Sequence, residues 1–370
     1  MALASVYPNR HLDRLSRFVY RPWSMQRNIG VRRSEKKQSK PHSLIPFACA
    51  TTKCIDAAKA TKGVTDNNPR ADDIWFPLIY TNSSHRDGAI YKNLHLQEEW
   101  SDADITDRSE TRLEPMMFSK ATRSCLPDPE NCMFHFPQHM LQFISLTLAE
   151  SHISSGSIQL YGYIAVRDEM DSMLNYVLNH SRDDPIIVQQ GSLIEMTGPK
   201  RGIEMEFPVL IEFDMRIKNG EQEKDDLQLI DGAIACRHRR PWKPIINRIT
   251  GNCGAVDISL AYVEHAVEAT IEVVISEVQR GFSLSLTSLV YIKEDFEEVQ
   301  LFHGSIGQSR GLRRFVVAVT LGTRMFLRFR VGSNNVERYR SFKAKLHGCV
   351  TRQIKLEQAS FSVKVTWSTI

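Results

Sequence analysis

The chain has 370 residues, of which 42% are hydrophobic and 24% charged, so it can form a large globular core. Its net charge of +4 is unevenly distributed, because 12 Lys/Arg oppose 3 Asp/Glu in residues 1–60 and 13 oppose 2 in residues 309–370. No apolar run reaches about 18 residues, so the sequence predicts no transmembrane helix and no membrane partner.

The first 110 residues contain few periodic segments and scatter Pro, Ser, Asn and Asp throughout. We therefore expect residues 1–110 to form a mostly irregular or disordered, basic-leading extension, with a short docked piece around Trp75–Tyr80. Its first arginines face a single acid, Asp13. A disordered basic tail on an intracellular, cytoplasmic protein is the simpler interpretation, and an organellar import signal is the alternative.

Cys125, Cys132, His135 and His139 form the one metal-like cluster in the sequence. Two thiolates and two imidazoles can make a tetrahedral zinc site. The spacing is unlike that of the known zinc fingers, however, and Pro137 keeps the two histidines from sharing a helix face. The sequence therefore favours a loop with incidental ligands, and we expect no metal and no cofactor.

Residues 142–367 carry the clearest signal, a series of short segments in which apolar and polar side chains alternate. In Phe207–Lys218 one face carries Val209, Ile211, Phe213, Met215 and Ile217, which is typical of a half-buried strand. The same period occurs in Ile158–Arg167, Ala269–Ile275, Phe282–Val290, Phe315–Leu321, Met325–Val331 and Phe361–Trp367. These segments predict an all-β fold, an antiparallel β-sandwich domain over residues 111–370 with its core at about 136–370.

The same alternation predicts which side chains are buried. Besides the five on Phe207–Lys218, we expect burial of Ile271, Val273, Val317, Val319, Leu327, Phe329, Val363, Val365 and Trp367. The opposite face of the segment Met325–Val331 is basic and carries Arg324, Phe326, Arg328 and Arg330. Together with Arg237, Arg239 and Arg240 it could bind phosphates and unpaired bases. A solvated face that discourages aggregation is the simpler interpretation.

Sequence motifs give no support to an enzyme. There is no nucleophile elbow, Walker loop, dinucleotide fingerprint or His-Glu-x-x-His helix. Glu277–Arg280 matches the Glu-x-x-Arg pair of RNA N-glycosidases, but it falls between two strand patterns and precedes Gly281, so it is interpreted as a hairpin turn. We expect a non-catalytic protein, with an enzyme of unrecognised site as an alternative.

Several motifs resemble one plant family in their order and spacing. They are Ile164–Asp168, Asp171, Asn175, Arg182, Asp183, Thr197–Gly202, Phe213–Lys218, Ala266–Glu272 and Val363–Trp367, with an echo at Leu113–Phe118. The chain resembles the domain-of-unknown-function 6598 family, abundant in grasses, from about residue 113 to its end. The resemblance implies an all-β domain that some cereal proteins join to a ribosome-inactivating N-glycosidase domain, which is not present here.

The residues that carry the resemblance are interpreted as structural: Arg167, Asp168, Asp171, Asn175, Arg182, Asp183, Gly198, Pro199 and Gly202. Pro199 and its flanking glycines are typical of a turn, and Arg167 and Arg182 are expected to bridge to neighbouring aspartates. The leading hypothesis is a non-catalytic interaction module of plant cells, linked to stress or defence through the toxin fusions, with a protein partner. A nucleic-acid or ribosome-binding module that uses the basic face for RNA is the alternative.

Overall fold

The computed structural model describes residues 78–80, 85, 125–128, 131–153, 156–236, 243–332 and 336–370. All of them lie in the unit Asn67–Ile370. They form an all-β fold of three antiparallel sheets, which confirms the predicted fold class. The described residues contain one 3₁₀ turn, Glu223–Asp225, and no helix long and apolar enough to cross a membrane.

The strands of the described residues are numbered in chain order. They are β1 (Leu78–Tyr80), β2 (Gln138–Ser151), β3 (Ile158–Asp168), β4 (Asp171–His180), β5 (Ile186–Val188), β6 (Ile203–Glu204), β7 (Val209–Ile217), β8 (Leu227–Cys236), β9 (Ile245–Gly251), β10 (Gly254–Ser276), β11 (Phe282–Ile292), β12 (Asp295–Ile306), β13 (Arg310–Gly311), β14 (Phe315–Thr320), β15 (Arg324–Val331), β16 (Val336–Lys343), β17 (Gly348–Lys355) and β18 (Ser360–Ser368).

The three sheets are built around a few long strands. The six-stranded sheet has the order β1-β8-β7-β3-β4, with β5 also paired to β3. The eight-stranded sheet has the order β17-β18-β10-β2-β6, and β9, β13 and β14 also pair with β10. The four-stranded sheet has the order β12-β11-β15-β16. Because β16 and β17 are consecutive, the turn between them joins an edge of the smallest sheet to an edge of the largest.

Strand β10 is the longest and changes partners along its length. Its first half pairs with β2 and β9, and its second half pairs with β14 and β18. The change falls at a register shift between Val263 and Ala266, where His265 has a φ of 46°. A bulge at this position redirects the strand from one set of neighbours to the other.

One hydrophobic core is shared by all three sheets. Every side chain for which the alternation predicted burial, from Val209 to Trp367, is at most 1% exposed. The ring of Phe361 on β18 makes edge contacts with Phe329 on β15 and Phe282 on β11, so the eight-stranded and four-stranded sheets meet in this core. The predicted apolar faces are therefore confirmed as the interior.

The seven predicted strands are present, but two expectations need correction. Ala269–Ile275 is only the second half of β10, whose first half is buried on both faces and so shows no alternation. Strand β7 is not half-buried, because Glu212 and Arg216 on its polar face are also buried. Arg167 and His85 lie over Glu212 and shield it from solvent.

The N-terminal extension contributes a strand to the described fold. Leu78–Tyr80 pairs with Ala233–Ala235 of β8, so the piece expected to dock around Trp75–Tyr80 is an edge strand of the six-stranded sheet. His85 is also buried, with its Nδ1 2.6 Å from Asp231 Oδ1. Leu78–Tyr80 falls within the expected docked piece, and for the other residues of 1–110, which lie outside the described part of the chain, irregular structure stays a prediction.

Candidate functional site

The arginines of the family motif form ion pairs with acids that lie far from them in the sequence. Arg167 is fully buried and its Nε donates to Glu212 Oε1 at 3.2 Å. Arg182 donates to both carboxylate oxygens of Asp226, at 2.7 and 3.1 Å. Burial raises the pKa of Asp226, but Arg182 and Tyr161 outweigh it and lower that pKa to about 2. The pKa of Arg182 is raised mainly by Asp226, and the predicted partner Asp183 adds to that effect through its charge.

Of the motif aspartates, Asp168 pairs with Arg201, a residue that the sequence did not single out. Arg201 Nη1 donates to Asp168 Oδ2 at 2.7 Å, and Arg201 Nη2 donates to Asp168 Oδ1. Asp183 is exposed, and the side chain of Asp171 lies outside the described residues. The motif therefore joins the end of β3 to the loop that precedes β6.

Asn175 and the motif glycines hold the same loop in place. Asn175 donates through Nδ2 to the Arg201 carbonyl at 3.1 Å and accepts at Oδ1 from the Lys200 N–H at 2.9 Å. A Cβ on Gly198 would overlap the Tyr176 carbonyl oxygen, and one on Gly202 would crowd Glu268. These two glycines allow close packing, and Pro199 lies between them. These contacts hold the loop that precedes β6 against β4.

Two buried carboxyl groups lie beside this loop. Glu268 accepts hydrogen bonds from the Gly202 N–H and from Thr270 Oγ1. Burial raises the pKa of Glu268 to about 7, against the opposing effect of these donors and of Arg201. Burial also raises the pKa of Glu204 to about 8, helped by the negative charge of Asp168. Both carboxyl groups therefore stay protonated over a pH range in which an exposed carboxyl group is ionised.

The basic face predicted on β15 is largely neutralised by glutamates. Arg328 donates to both oxygens of Glu298 at 2.8 and 2.5 Å, and Arg330 donates to Glu337 Oε1 at 2.9 and 2.5 Å. Arg324 is exposed and donates to Ser341 Oγ at 3.2 Å. The predicted partners in the loop, Arg237, Arg239 and Arg240, lie outside the described residues. Two of the three arginines of this face are therefore paired with acids.

The aromatic side chain of that face is also engaged. Phe326 makes an edge contact with Phe296, with ring centroids 5.6 Å apart, and Phe296 makes a similar contact with Tyr291 at 5.5 Å. Phe326 is only half-exposed, whereas stacking on a base requires an open ring face. The face is a mixed surface of paired charges and packed rings.

A cleft of about 350 Å³ lies on the polar face of the six-stranded sheet. Its lining includes His85, Tyr163, Tyr176, Asp214 and Arg216. Arg216 donates to both oxygens of Asp214, at 3.1 and 2.9 Å. The described residues that line this cleft include no serine, threonine or cysteine to act as a nucleophile.

Three of the four residues in the metal-like cluster do come together, and the fourth is a different histidine. The side chains of Cys125, Cys132, His135 and His347 place their ligand atoms within 4.8 Å of one another. His135 Nδ1 is 3.8 Å from Cys125 Sγ, 3.3 Å from Cys132 Sγ and 3.1 Å from His347 Nε2. His139 instead stacks near Tyr262, with centroids 5.0 Å apart. His347 was missed because it lies far away in the sequence.

Local hydrogen bonds explain why the two cysteines approach. The Asn131 N–H donates to Asp128 Oδ1 at 3.0 Å, and the Met133 N–H donates to the Leu126 carbonyl at 2.8 Å. These bonds join residues 125–128 to residues 131–136, and these two described stretches are hereafter called the cysteine loop. His347 lies in the turn between β16 and β17, and its ring makes an edge contact with His135, with centroids 4.8 Å apart.

The cysteine loop exposes a group of large apolar side chains. They are Leu126, Met133, Phe134 and Phe136, which are 57%, 73%, 62% and 66% exposed. We call these four side chains the apolar loop patch. Large apolar side chains clustered at the surface usually mark an interaction site, because exposing them to water is unfavourable.

Comparisons with known proteins identify a family but no activity. The family model described as Domain of unknown function (DUF6598) matches residues 140–365, which include His347 and exclude the cysteine loop. The comparison with curated proteins finds no match.

Among solved structures, human GIVD cytosolic phospholipase A2 matches 63% of this chain at 9% identity, with a TM-score of 0.21. The chain covers 32% of that protein, or about a third of its length. The C2A and C2B domains of Extended-Synaptotagmin 2 match 63% of this chain and 91% of theirs, at 7% identity and a TM-score of 0.25. At these scores the two likenesses assign no function.

Proposed function

The chain belongs to the DUF6598 family, and we propose that it is a non-catalytic protein-interaction module whose contact surface is the apolar loop patch. One observation carries the proposal: four large apolar side chains, all more than half exposed, lie within the cysteine loop. Protein interfaces are enriched in aromatic residues and methionine at their centres. A few well-packed side chains there supply most of the binding free energy.

The way the patch is held also favours binding. The cysteine loop is closed by its own hydrogen bonds and contacts the β16–β17 turn through His135 and His347. A loop that is already ordered loses less conformational entropy when a partner binds. The rings of Phe134 and Phe136 can therefore act as preorganised anchors.

The partner we propose is a protein with an apolar cleft bordered by acidic side chains. Exposed Lys343 and Lys345 lie just before His347 on the turn that contacts the cysteine loop. Of the two acids in this part of the sequence, Asp128 accepts from Asn131 and Glu130 lies outside the described residues. Acidic groups at the rim of the partner would complement the two lysines and fix the orientation of binding.

The alternatives find less support in the described residues. RNA binding through the basic face is disfavoured because Arg328 and Arg330 already pair with glutamates, while Phe326 packs against Phe296. A catalytic role is disfavoured because the charged groups of the cleft on the six-stranded sheet pair with one another. The proposal therefore names no catalytic residue.

We further propose that the module acts inside plant cells, in the cytoplasm, in stress or defence. The support is the resemblance of its motifs to a plant family with ribosome-inactivating fusions. A pull-down from plant tissue that identifies a partner in these pathways would test this part separately.

The contact surface is tested by quantitative capture on the immobilised full-length chain. After nuclease treatment, the double variant Met133→Ser/Phe134→Ser should capture at least about tenfold less of the protein partner than the wild type does. The matched control Phe296→Ser replaces another exposed aromatic side chain and should capture as much as the wild type. Purified partner should then bind wild type and control with equal affinity. The proposal would be contradicted if nuclease abolished the capture and the loop substitutions left it unchanged. It would also be contradicted if the loop were needed only for binding to anionic phospholipid vesicles and no protein partner were captured.

A further inference from the structure

We propose that Cys125, Cys132, His135 and His347 bind one zinc ion in a closed Cys₂His₂ site. The sequence alone favours incidental ligands for this region, because three of the residues have unusual spacing and the fourth is remote. His135 and His347 are separated by 212 residues, yet their ring nitrogens are 3.1 Å apart. Only the folded chain brings two thiols and two imidazoles into one cluster.

The distances match the edges of a tetrahedron around zinc. Zn–S bonds of about 2.3 Å and Zn–N bonds of about 2.0 Å imply edges of roughly 3.6 Å between sulfur and nitrogen and roughly 3.3 Å between two nitrogens. The observed sulfur–nitrogen distances to His135 are 3.8 and 3.3 Å, and the nitrogen–nitrogen distance is 3.1 Å. These three distances thus lie within about 0.3 Å of the values for a bound ion.

Hydrogen bonds among the four side chains do not explain this arrangement as well. His135 Nδ1 has three neighbours that converge on it: two sulfurs and His347 Nε2. A ring nitrogen offers one proton or one lone pair, so it can satisfy only one of the three. A cation at the centre accepts a lone pair from all four ligand atoms at once.

The burial of the four side chains also fits a bound ion. Cys132 and His347 are buried, while Cys125 and His135 are half-buried, so an ion can enter from the surface. The set of two sulfurs and two nitrogens in tetrahedral geometry selects zinc among common divalent ions.

Four protein ligands leave no open position, so the ion is structural. It ties the cysteine loop to the turn between β16 and β17, and it thereby fixes the base of the apolar loop patch. The site stands on its own geometry and does not depend on the proposed interaction. The interaction can fail while the zinc site holds, and the reverse is also true.

The test is the zinc content of the full-length chain, purified without a polyhistidine tag under reducing conditions. Wild type should hold about one zinc ion per chain. Cys132→Ser and His347→Gln should weaken zinc binding by at least about 100-fold, since even changes outside the ligand set cost 10- to 100-fold. His139→Gln and Cys349→Ser are matched controls, a histidine and a cysteine close in sequence to the ligands, and should retain the ion.

Absence of zinc from the wild type, or equal zinc in Cys132→Ser and the two controls, would overturn the proposal. A disulfide between Cys125 and Cys132 in the reduced protein preparation would overturn it as well. If the ligand variants do not fold, titration of the metal-free wild type with Co²⁺ tests the proposed site in their place. Tetrahedral Co²⁺ with thiolate charge transfer absorbs intensely in the visible range, whereas the weak spectrum of octahedral Co²⁺ would contradict the site.

Discussion

Arg201 and Asp168 form a buried, bidentate ion pair that joins the loop before β6 to the end of β3. Asp168 Oδ2 also accepts from the backbone N–H of Glu204 at 3.0 Å. The carboxylate is thus held from two directions, and the loop carrying Gly198 and Gly202 is fixed to the six-stranded sheet.

Arg201→Ala should lower the free energy of unfolding by about 3–5 kcal/mol, because it leaves the Asp168 carboxylate buried without its cation. Arg328→Ala removes a pair whose acid, Glu298, is mostly solvent-exposed, and should change stability by less than about 1 kcal/mol. Urea unfolding of both variants checks this. Equal losses for the two would show that the buried pair has no special role.

Phe213→Ala should lower the free energy of unfolding by about 3–5 kcal/mol, since Phe213 is fully buried in the shared core. The control Phe296→Ala removes a half-exposed ring and should cost much less. Thermal and urea unfolding measure both. A loss below about 1 kcal/mol for Phe213→Ala would place this side chain outside the core.

Stability should fall as the pH rises between about 4.5 and 7 through Glu268. Its pKa is raised from 4.5 to about 7 in the folded state, so the folded chain keeps a proton that the unfolded chain has released. Bound protons stabilise the state that holds them, and the advantage disappears as the pH approaches the raised value. Glu204 acts in the same direction, with a pKa of about 8.

The comparison of wild type with Glu268→Gln isolates this contribution. Both proteins carry the other titratable groups, including Glu204, so the effects of those groups cancel in the difference. Melting temperatures from pH 5 to pH 8, taken in steps of about half a unit, should show a shallower decline for Glu268→Gln. Parallel curves for the two proteins would contradict the assignment.

RNA binding should be unmeasurable even at low salt. If Arg324, Arg328 and Arg330 contacted phosphates, affinity would fall roughly a thousandfold between about 50 and 200 mM salt, and replacing the three with glutamine would flatten that slope. Phe326→Ala would then weaken single-strand binding by roughly 1–3 kcal/mol. Fluorescence anisotropy with labelled single-stranded RNA checks this. Binding that depends on these four residues would favour the nucleic-acid module.

The strands that the sequence predicts are those with one apolar face, such as Val209–Ile217 and Ser360–Ser368. The first half of β10 could not be predicted in this way, because it is buried on both faces and carries no alternation. The three-sheet arrangement depends on which strands meet. Pairings such as β1 with β8 join residues far apart in the chain and leave no local signal.

Some residues of the candidate site are close together in the sequence and could be predicted, whereas others are brought together only by the fold. Cys125, Cys132 and His135 are close in sequence and stand out as ligand types, whereas His347 comes from the β16–β17 turn. Arg328 and Arg330 are visible in the sequence as a basic face, but the acids that pair with them, Glu298 and Glu337, lie on other strands of the sheet, β12 and β16. Composition indicates the groups present, and strand pairing decides what they contact.

X-ray absorption at the zinc edge of the purified full-length chain tests the metal-anchored cysteine loop most directly. We predict that zinc is present in equimolar ratio with the chain. Its first shell should contain two sulfur atoms at about 2.3 Å and two imidazole nitrogens at about 2.0 Å. The His139→Gln variant should give the same spectrum. A shell of nitrogen and oxygen only, or a spectrum unchanged in Cys132→Ser, would contradict the account.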